Sequence, residues 1–402
     1  MEEQSRKPRK VREEEDEQEI WSWGAGTDGQ LGTGRLEDDH LPQLLHLPSL
    51  SSLGPISLLA CGGAHVIALT AGGRVLTWGR GTSGQLGHGE NANSLYPNPV
   101  TSLESYTIIN VAAGWNHSGF VSDSGCLFSC GDGSFGQLGH GDYRSHCSPV
   151  KVSYFVNKHV RQVACGMRHS LVLLRDSSKD QVYGFGSGKR GQLGISMDMV
   201  KSINLPQVTL GFEDVEITNI TANGDHSAAL SAEGHLYTWG RGFAGTSSHL
   251  CPQRLSSSLL FTGVALGWNH ALVLTSDGEV FMLGGSHHGA LGYLEKLTPE
   301  KHSSDFREAA LEKVHDTDGA KVMQIAAGAE HSAFVTEKGV VKTWGWGEHG
   351  QLGFGSTRDE TDPQVVNVGQ ELLNQDFTVN VYCGSGFTYA LRRRRLPFTS
   401  PS

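Results

Sequence analysis

The sequence predicts an all-β fold: a seven-bladed β-propeller of four-stranded blades, closed by pairing of its N- and C-terminal strands. Two phrases recur in order along the chain, one rich in glycine and one in which small residues and a histidine precede an alternating apolar run. They repeat with a period near 54 residues, and glycine supplies 53 of the 402 residues. A period of about 50 residues with short strands is typical of propeller blades, in which radial repetition leaves few exposed strand edges.

The glycine-rich phrase is close to Trp-Gly-x-Gly-x-x-Gly-Gln-Leu-Gly and predicts a tight turn after a strand. Its copies begin, in chain order, at Trp23, Trp78, Cys130, Phe185, Trp239, Leu283 and Trp344. The copy from Trp239 lacks Gln-Leu-Gly, and the copy from Leu283 reads Gly-Ala-Leu-Gly. Because repeat units need neighbours to bury their apolar faces, seven copies predict one closed domain rather than several. The recurring tryptophans are expected in the core.

The second phrase places a histidine at the start of a predicted hairpin. The histidines are His65, His117, His169, His226, His270 and His331, and Phe387 takes this place in the seventh copy. The runs HVIAL and RVLTWG, separated by Ala-Gly-Gly, have the alternation and turn residues of a β-hairpin. Because one histidine falls in each blade, we expect them to lie apart around the ring and to hydrogen-bond backbone at strand starts, without a catalytic or metal-binding role.

The two chain ends are predicted to complete one blade. The first glycine-rich phrase has no hairpin before it, and the last hairpin has no glycine-rich phrase after it. We therefore expect Ile20–Gly24 to complete the blade begun by residues 379–391. The predicted organisation is a charged N-terminal tail at 1–19, a propeller at 20–392 and a basic C-terminal tail at 393–402.

Composition excludes several classes of function. The net charge is −10, and two basic clusters lie at the chain ends, so the propeller itself is acidic and direct nucleic-acid binding by it is not expected. No run of 18 apolar residues occurs and the N-terminus is charged, which argues against a membrane span and a secretory signal. The seven scattered cysteines fit free thiols in a reducing compartment.

Both phrases, in this order and at this period, resemble the RCC1 repeat family, named for the regulator of chromosome condensation, over about residues 20–392. The resemblance implies a seven-bladed β-propeller. The family includes an exchange factor for the small GTPase Ran, a plant ultraviolet-B photoreceptor and many adaptor-like propellers. Fold alone does not select among these functions.

Trp115 and Trp268 are candidate partner-binding residues, because the second and fifth histidine phrases both read Gly-Trp-Asn-His. The resemblance to the RCC1 family includes its ultraviolet-B photoreceptors. These carry Gly-Trp-Arg-His-Thr on successive blades, where indoles and arginines stack at a dimer face. Here the two phrases are not neighbours, and Asn116 and Asn269 replace the arginines. We therefore expect no adjacent indole cluster. The two indoles are either rim-exposed anchors for a partner or packed against a neighbouring blade.

The repeat is interrupted after Trp239, and the unit that follows His270 is long at 61 residues. It contains residues 293–319, in which Ser303 or Ser304 is expected to cap a short amphipathic helix. The apolar face of that helix would carry Phe306, Ala310, Leu311 and Val314. Insertions in repeat proteins often lie on a binding face, so Phe306 and Leu311 are candidate partner anchors, with a packed surface loop as the alternative.

The N-terminal tail carries a basic cluster that resembles a short nuclear-import signal. The cluster comprises Arg6, Lys7, Arg9, Lys10 and Arg12. The acidic run EEEDEQE follows it directly, which predicts a charge-segregated, disordered tail. The expected location is the nucleus, the cytoplasm or both, and a merely solvated tail is the alternative.

The sequence contains no nucleophile–base pair, no paired carboxylates at one locus and no phosphate-binding loop that opens a helix. We therefore expect no catalytic residue, no cofactor and no metal site. The predicted function is a non-enzymatic scaffold or regulator that binds a protein partner through loops at the faces of the disc. The alternative is guanine-nucleotide exchange on a small GTPase, and ultraviolet-B reception is less favoured.

Overall fold

Seven antiparallel sheets of four strands each form the fold in the computed structural model, which describes residues 18–46, 53–175, 180–196, 198–243, 248–284, 311–369 and 377–394. Each sheet is one blade. The first strand of every blade lines the central channel and the fourth forms the outer rim. The predicted seven-bladed propeller of four-stranded blades is confirmed.

Blade 7 joins both chain ends, with β1 (Gln18–Gly24) and β2 (Asp39–Leu44) outside β28 (Phe387–Arg394) and β27 (Phe377–Cys383). In the other blades the strands follow chain order from the channel to the rim. Blade 1 is β3 (Ile56–Cys61), β4 (His65–Thr70), β5 (Val75–Gly79) and β6 (Ser94–Pro99). Blade 2 is β7 (Ile108–Ala113), β8 (His117–Ser122), β9 (Leu127–Gly131) and β10 (His146–Lys151). Blade 3 is β11 (His159–Cys165), β12 (His169–Arg175), β13 (Gln181–Ser187) and β14 (Ser202–Val208).

The remaining three blades have the same order. Blade 4 is β15 (Ile217–Asn223), β16 (His226–Ser231), β17 (Leu236–Gly240) and β18 (His249–Arg254). Blade 5 is β19 (Phe261–Leu266), β20 (His270–Thr275), β21 (Val280–Gly284) and β22 (Leu311–Lys313). Blade 6 is β23 (Val322–Ala327), β24 (His331–Thr336), β25 (Val341–Gly345) and β26 (Glu360–Val365). Short 3-10 turns occupy Thr101–Leu103 and Ser153–Phe155.

Closure of the ring follows the prediction. All seven residues of β1 pair with β28, from Gln18 opposite Arg393 to Gly24 opposite Phe387. The Gln18 side chain also joins blade 7 to blade 1, because its Nε2 donates to the Ile56 carbonyl (3.0 Å) and its Oε1 accepts from the Ile56 N–H (2.8 Å). The strand begins two residues before the predicted Ile20.

A histidine–hydroxyl–carbonyl contact joins most neighbouring blades. The Nε2 of His65 lies 2.9 Å from the Ser118 hydroxyl of blade 2, and that hydroxyl donates to the Gln85 carbonyl of blade 1 (2.7 Å). Because the hydroxyl donates to the carbonyl, the histidine Nε2–H donates to the hydroxyl. Equivalent histidine–hydroxyl contacts join His117 to Ser170, His169 to Ser227, His270 to Ser332 and His331 to Thr388. In these five blades the histidine therefore bonds a side-chain hydroxyl of the next blade, where a backbone partner at the strand start was predicted.

Two blade boundaries lack this contact. At each of them, the loss of the histidine or the hydroxyl is accompanied by a change in the residue or contact opposite it. Phe387 replaces the histidine in blade 7 and packs in one apolar cluster with Val66, which replaces the serine in blade 1. In blade 4, His226 has no hydroxyl to meet because Ala271 stands there. Its ring nitrogens instead lie 2.6 Å from the carbonyl oxygens of Arg241 and Trp268.

The apolar core lies between blades. The four tryptophans predicted as core are at most 2 % exposed, and they are Trp23, Trp78, Trp239 and Trp344. Each apolar cluster takes residues from two neighbouring blades, as with Ile67 of blade 1 and Phe120 of blade 2. No blade could therefore bury its faces alone, which is the physics of a repeat domain.

The disc has two faces with different loops. The loop from the first to the second strand meets the glycine-rich loop from the third to the fourth strand, as where the Arg80 N–H donates to the Ala64 carbonyl (2.8 Å). We call the face that carries these loops the GQLG face. The Ala25 N–H donates to the Gly386 carbonyl on this face (2.8 Å), so β1 begins and β28 ends on the opposite face.

Candidate functional site at the channel mouth

Short loops between the first and second strands converge around the channel on the GQLG face. Their backbones are joined from blade to blade, which holds the loop residues in fixed positions. The bonds run from the N–H of Gly63 to Gly114 O, Trp115 to Gly166 O, Met167 to Gly224 O, Trp268 to Ala329 O, Ala329 to Ser385 O and Ser385 to Gly62 O, at 2.8–3.2 Å. Each of these six donors directly follows the loop glycine, and five of them, Gly63, Trp115, Met167, Trp268 and Ser385, line the central cavity.

Two of these axial positions are tryptophans that touch each other. The ring centroids of Trp115 and Trp268 are 5.2 Å apart, with the planes tilted by 49°. Both indoles are half-buried. A Cβ on Gly63 would lie only 2.8 Å from Cε3 of Trp115, so the first indole also covers blade 1.

The expectation that these tryptophans lie apart is therefore wrong. Blades 2 and 5 are not neighbours along the ring, but their axial loops face each other across a narrow channel mouth. Each indole also packs on a neighbouring blade as the alternative predicted, Trp115 beside Gly63 of blade 1 and Trp268 beside Gly224 of blade 4, and neither lies at the outer rim. The pair itself is an aromatic contact at the axis, of the tilted kind that adds to the energy of burial.

The indoles lie at one end of a central cavity of about 260 Å³. First-strand residues from all seven blades line it, together with Met167 and Ser385 of the axial loops. Across the channel from Met167, the equivalent loop positions are Gly63, Ala329 and Ser385, which have small side chains or none. The mouth therefore presents the two partly exposed indoles with space beside them.

Polar side chains directly follow the axial position in the loops of blades 3 and 5. Asn269 donates through Nδ2 to Oε1 of Glu330 (2.7 Å), and the exposed Arg168 lies with its guanidinium 5.0 Å from the centre of the Phe135 ring. Within the described ranges, no lysine or arginine lies over either indole of the pair. Trp115 and Trp268 thus form an aromatic centre with a mixed polar rim.

The buried histidines supply no acid–base chemistry at this face. Burial lowers the pKa of His65, His169 and His331 to about 3, and that of His117 and His270 to about 4. They are neutral at physiological pH and enclosed between blades. In the part of the chain that the structure describes, no three His, Cys, Asp or Glu side chains group as metal ligands would.

The other sequence-predicted site residues divide into two groups. Leu311 lies in β22, where it is half-buried against the cluster between blades 4 and 5, so the predicted helix does not extend to it. Leu311 pairs with Leu283 of the neighbouring strand β21. Phe306 lies outside the described residues, as do Arg6, Lys7, Arg9, Lys10 and Arg12.

Comparison with known proteins identifies the family. The RCC1-like domain matches residues 19–390. The chain belongs to the RCC1-like domain family. None of the helices among the described residues has the length and apolar character needed to cross a membrane.

Relatives within this family differ in function. The chain is 31 % identical to the ultraviolet-B receptor UVR8 of Arabidopsis thaliana, over 85 % of this chain and 76 % of the receptor. It is also 31 % identical to the secretion-regulating guanine nucleotide exchange factor of Bos taurus, over 92 % of this chain and 82 % of that protein. The crystal structure of Prp20p of Saccharomyces cerevisiae superposes with a TM-score of 0.77 at 25 % identity, over 96 % of this chain and 93 % of Prp20p. That structure was described together with the binding of Prp20p to Gsp1p and histones.

Proposed function

We propose that this RCC1-like propeller is a non-enzymatic protein-interaction module that binds its partner at the channel mouth of the GQLG face. The observation that carries the proposal is the contact between Trp115 and Trp268. Binding energy at protein interfaces concentrates in a few central residues, and tryptophan is enriched among them. A half-buried indole pair surrounded by polar side chains has this composition.

Packing between the blades also limits where a partner can bind. Blade-to-blade packing uses the apolar faces of the sheets, so the loops and tails are left for partners. The acidic propeller disfavours nucleic acid as that partner. The basic cluster that begins at Arg6 supports a nuclear location for part of the protein, with the cytoplasm as the other site.

A double variant tests the proposal. Trp115→Ala with Trp268→Ala removes both anchors, and Tyr143→Ala removes a 49 % exposed aromatic side chain from a rim loop as a matched control. Partners captured from cell extract by the wild type should be lost with the double variant and kept with the control, while the melting temperatures of the purified variants confirm folding. Equal capture by the double variant would place the partner elsewhere.

Guanine-nucleotide exchange on a small GTPase is the second candidate function. The bovine exchange factor supports it, because the similarity covers most of both chains. Such an activity stabilises the nucleotide-free GTPase by contact and needs no cofactor or catalytic side chain, which agrees with a face built from aromatic and polar loops.

Release of labelled GDP from a panel of small GTPases separates the two functions. Exchange predicts accelerated release with the wild type, and little acceleration with the double tryptophan variant. Capture of partners without acceleration on any GTPase of the panel leaves the interaction module as the function.

A further inference from the structure

Four exposed basic side chains lie along one arc of the GQLG face. Arg168 belongs to the axial loop of blade 3, and Lys189 and Arg190 belong to the glycine-rich loop of the same blade. Arg241 belongs to the glycine-rich loop of blade 4. We call these four residues the basic arc. Their grouping contrasts with the net charge of −10 that the whole chain carries.

Contacts between the loops hold these positions beside one another. The Ser187 N–H donates to the Arg168 carbonyl (2.7 Å), which joins the axial loop of blade 3 to its glycine-rich loop. From that second loop, Nε2 of Gln192 donates to Oδ1 of Asp225 in blade 4 (3.0 Å). The Arg241 N–H donates to the Asp225 carbonyl (2.9 Å). The basic arc is therefore continuous from blade 3 to blade 4.

The tip of the glycine-rich loop in blade 3 is a hydrogen-bonded turn that presents two of the cations. The Gly191 N–H donates to the Gly188 carbonyl (2.9 Å), and the Arg190 N–H donates to Oε1 of Gln192 (2.8 Å). Lys189 and Arg190 occupy the two central positions of this turn, and both side chains are exposed. Because the backbone is already fixed, binding a partner here costs little further ordering of the loop.

None of the four cations forms an ion pair with a described residue. Elsewhere on the same face, Arg80 is paired with Asp28 (2.6 Å). The carboxylates of the neighbouring loop positions, Asp132 and Asp225, each accept a hydrogen bond from a glutamine side chain. Residues 244–247, which lie outside the described residues in the loop of Arg241, carry no charge. The charge of the basic arc is thus not used within the described part of the chain.

The size and chemistry of the basic arc fit a short acidic peptide. The guanidinium group is a planar fork whose geometry matches a carboxylate. A surface that binds nucleic acid commonly neutralises about 6–10 phosphates, which is more than four side chains on an acidic chain provide. Carboxylates on one short segment of a partner protein therefore match this arc better than a nucleic-acid backbone does.

We propose that the basic arc binds an acidic peptide segment of the partner protein, beside the tryptophan pair. This proposal rests on the proposed function, because Arg168 directly follows Met167, and Met167 lines the cavity at whose end the indoles lie. Aspartate or glutamate side chains of the segment pair with the cations. Such pairing raises the association rate and sets the orientation in which the partner reaches the indoles.

A fluorescent peptide of eight glutamates, titrated with the full-length chain, tests the proposal directly. Fluorescence anisotropy should show saturable binding, and a peptide of eight glutamines should not bind. Raising the salt from about 0.1 M to about 1 M shortens the Debye length from about 10 Å to about 3 Å and should remove most of the binding. Carbodiimide, which couples a carboxylate to an amine in direct contact, should attach the peptide to Lys189.

Reversal of charge in the turn locates the site. Lys189→Glu with Arg190→Glu should weaken binding of the glutamate peptide at least about tenfold, because two attractive charges become repulsive. The matched control, Arg254→Glu with Lys338→Glu, reverses two exposed cations on the opposite face and gives the same net charge. The control should bind the peptide nearly as the wild type does, and melting curves check that both variants fold.

The arc and the channel mouth can fail separately. The Trp115→Ala, Trp268→Ala variant should bind the glutamate peptide as the wild type does, because the indoles do not hold its carboxylates. If partner capture is lost in the arc variant but kept in the tryptophan variant, the basic arc stands and the channel mouth does not. If the arc variant binds the peptide normally while the tryptophan variant loses the partner, only the basic arc is refuted.

Other results would also overturn the proposal. These are no saturable binding of the glutamate peptide, or coupling of the peptide only to lysines outside the arc. Tighter binding of an oligonucleotide of eight thymidines, lost in the arc variant, would assign the arc to nucleic acid. Residues 285–310, which lie outside the described residues, include four carboxylates. Markedly tighter peptide binding after their replacement by a short Gly-Ser loop would assign the arc to this segment of the chain itself.

Discussion

Acid should unfold this propeller steeply, because protonation must break the contacts between blades. The histidines that bond Ser118, Ser170, Ser227, Ser332 and Thr388 have pKa values of about 3 to 4 in the folded chain, lowered by burial from about 6.5. Between these values the unfolded chain binds more protons than the folded one. Stability is therefore complete above about pH 6.5 and is lost as the pH falls below it.

The expected loss is large. Each histidine contributes about 1.4 kcal/mol per pH unit in this window, so five together remove roughly 6 kcal/mol between pH 7 and pH 5.5. Domains are stable by about 5–15 kcal/mol, which places acid unfolding near pH 5, before most carboxylates titrate. Urea titrations followed by circular dichroism at several pH values between 7 and 5 measure the slope.

A designed pair of substitutions tests the assignment. His65→Phe with Ser118→Val copies the Phe387–Val66 contact of blade 7 and blade 1 onto the next boundary. It should lower the pH slope by about one proton, whatever it does to stability at pH 7. A wild-type slope of less than about two protons between pH 6.5 and 5.5, or an unchanged slope in the variant, would refute the reasoning.

Three further outcomes are expected. Deletion of residues 1–24 should lower the melting temperature of the whole disc and deletion of 1–17 should not, because only the first removes β1; equal melting of both truncations would contradict closure by this strand. Ultraviolet-B irradiation should leave the size-exclusion profile unchanged, since asparagines stand at the positions of the stacking arginines; a dimer-to-monomer shift would show that the indole pair suffices. Leu311→Ala should destabilise the chain by about 1–3 kcal/mol in thermal melts, because the side chain packs in a core cluster, and an unchanged melt would mean that it does not.

Most of the fold could be predicted because its determinants are local and repeated. Hairpins such as His65–Thr70 with Val75–Gly79 follow from apolar alternation around a glycine turn. Glycines of the GQLG phrase have the positive φ that a tight turn requires, as at Gly84 (+84°) and Gly87 (+75°). Ring closure follows from counting which phrases lack a partner at each chain end.

The site is harder to predict because blades that are not neighbours in the ring can still have loops that touch at the central axis. Blades 2 and 5 are not neighbours, which predicts that Trp115 and Trp268 lie apart; this holds at the rim but fails at the axis. A signal is present in the sequence. Both tryptophans directly follow the glycine of the loop, and the residue at this position lines the central cavity in five of the seven blades. Apolar spacing alone predicts a helix at Leu311, whereas the proline that recurs in the fourth strand of the other six blades marks a strand.

Departures from the repeat are of two kinds: some preserve the packing between blades, and others change a surface that a partner could bind. Phe387 is matched by Val66, and the loss of a hydroxyl at Ala271 is matched by new partners for His226, so these changes keep the blades together. The tryptophans at the channel mouth are a departure of the other kind. Trp115 and Trp268 contact each other beside Gly63 and Gly224 of the neighbouring blades, and they leave a half-buried indole pair that the packing of the sheets does not use. Substitutions at these two indoles should therefore affect binding more than stability.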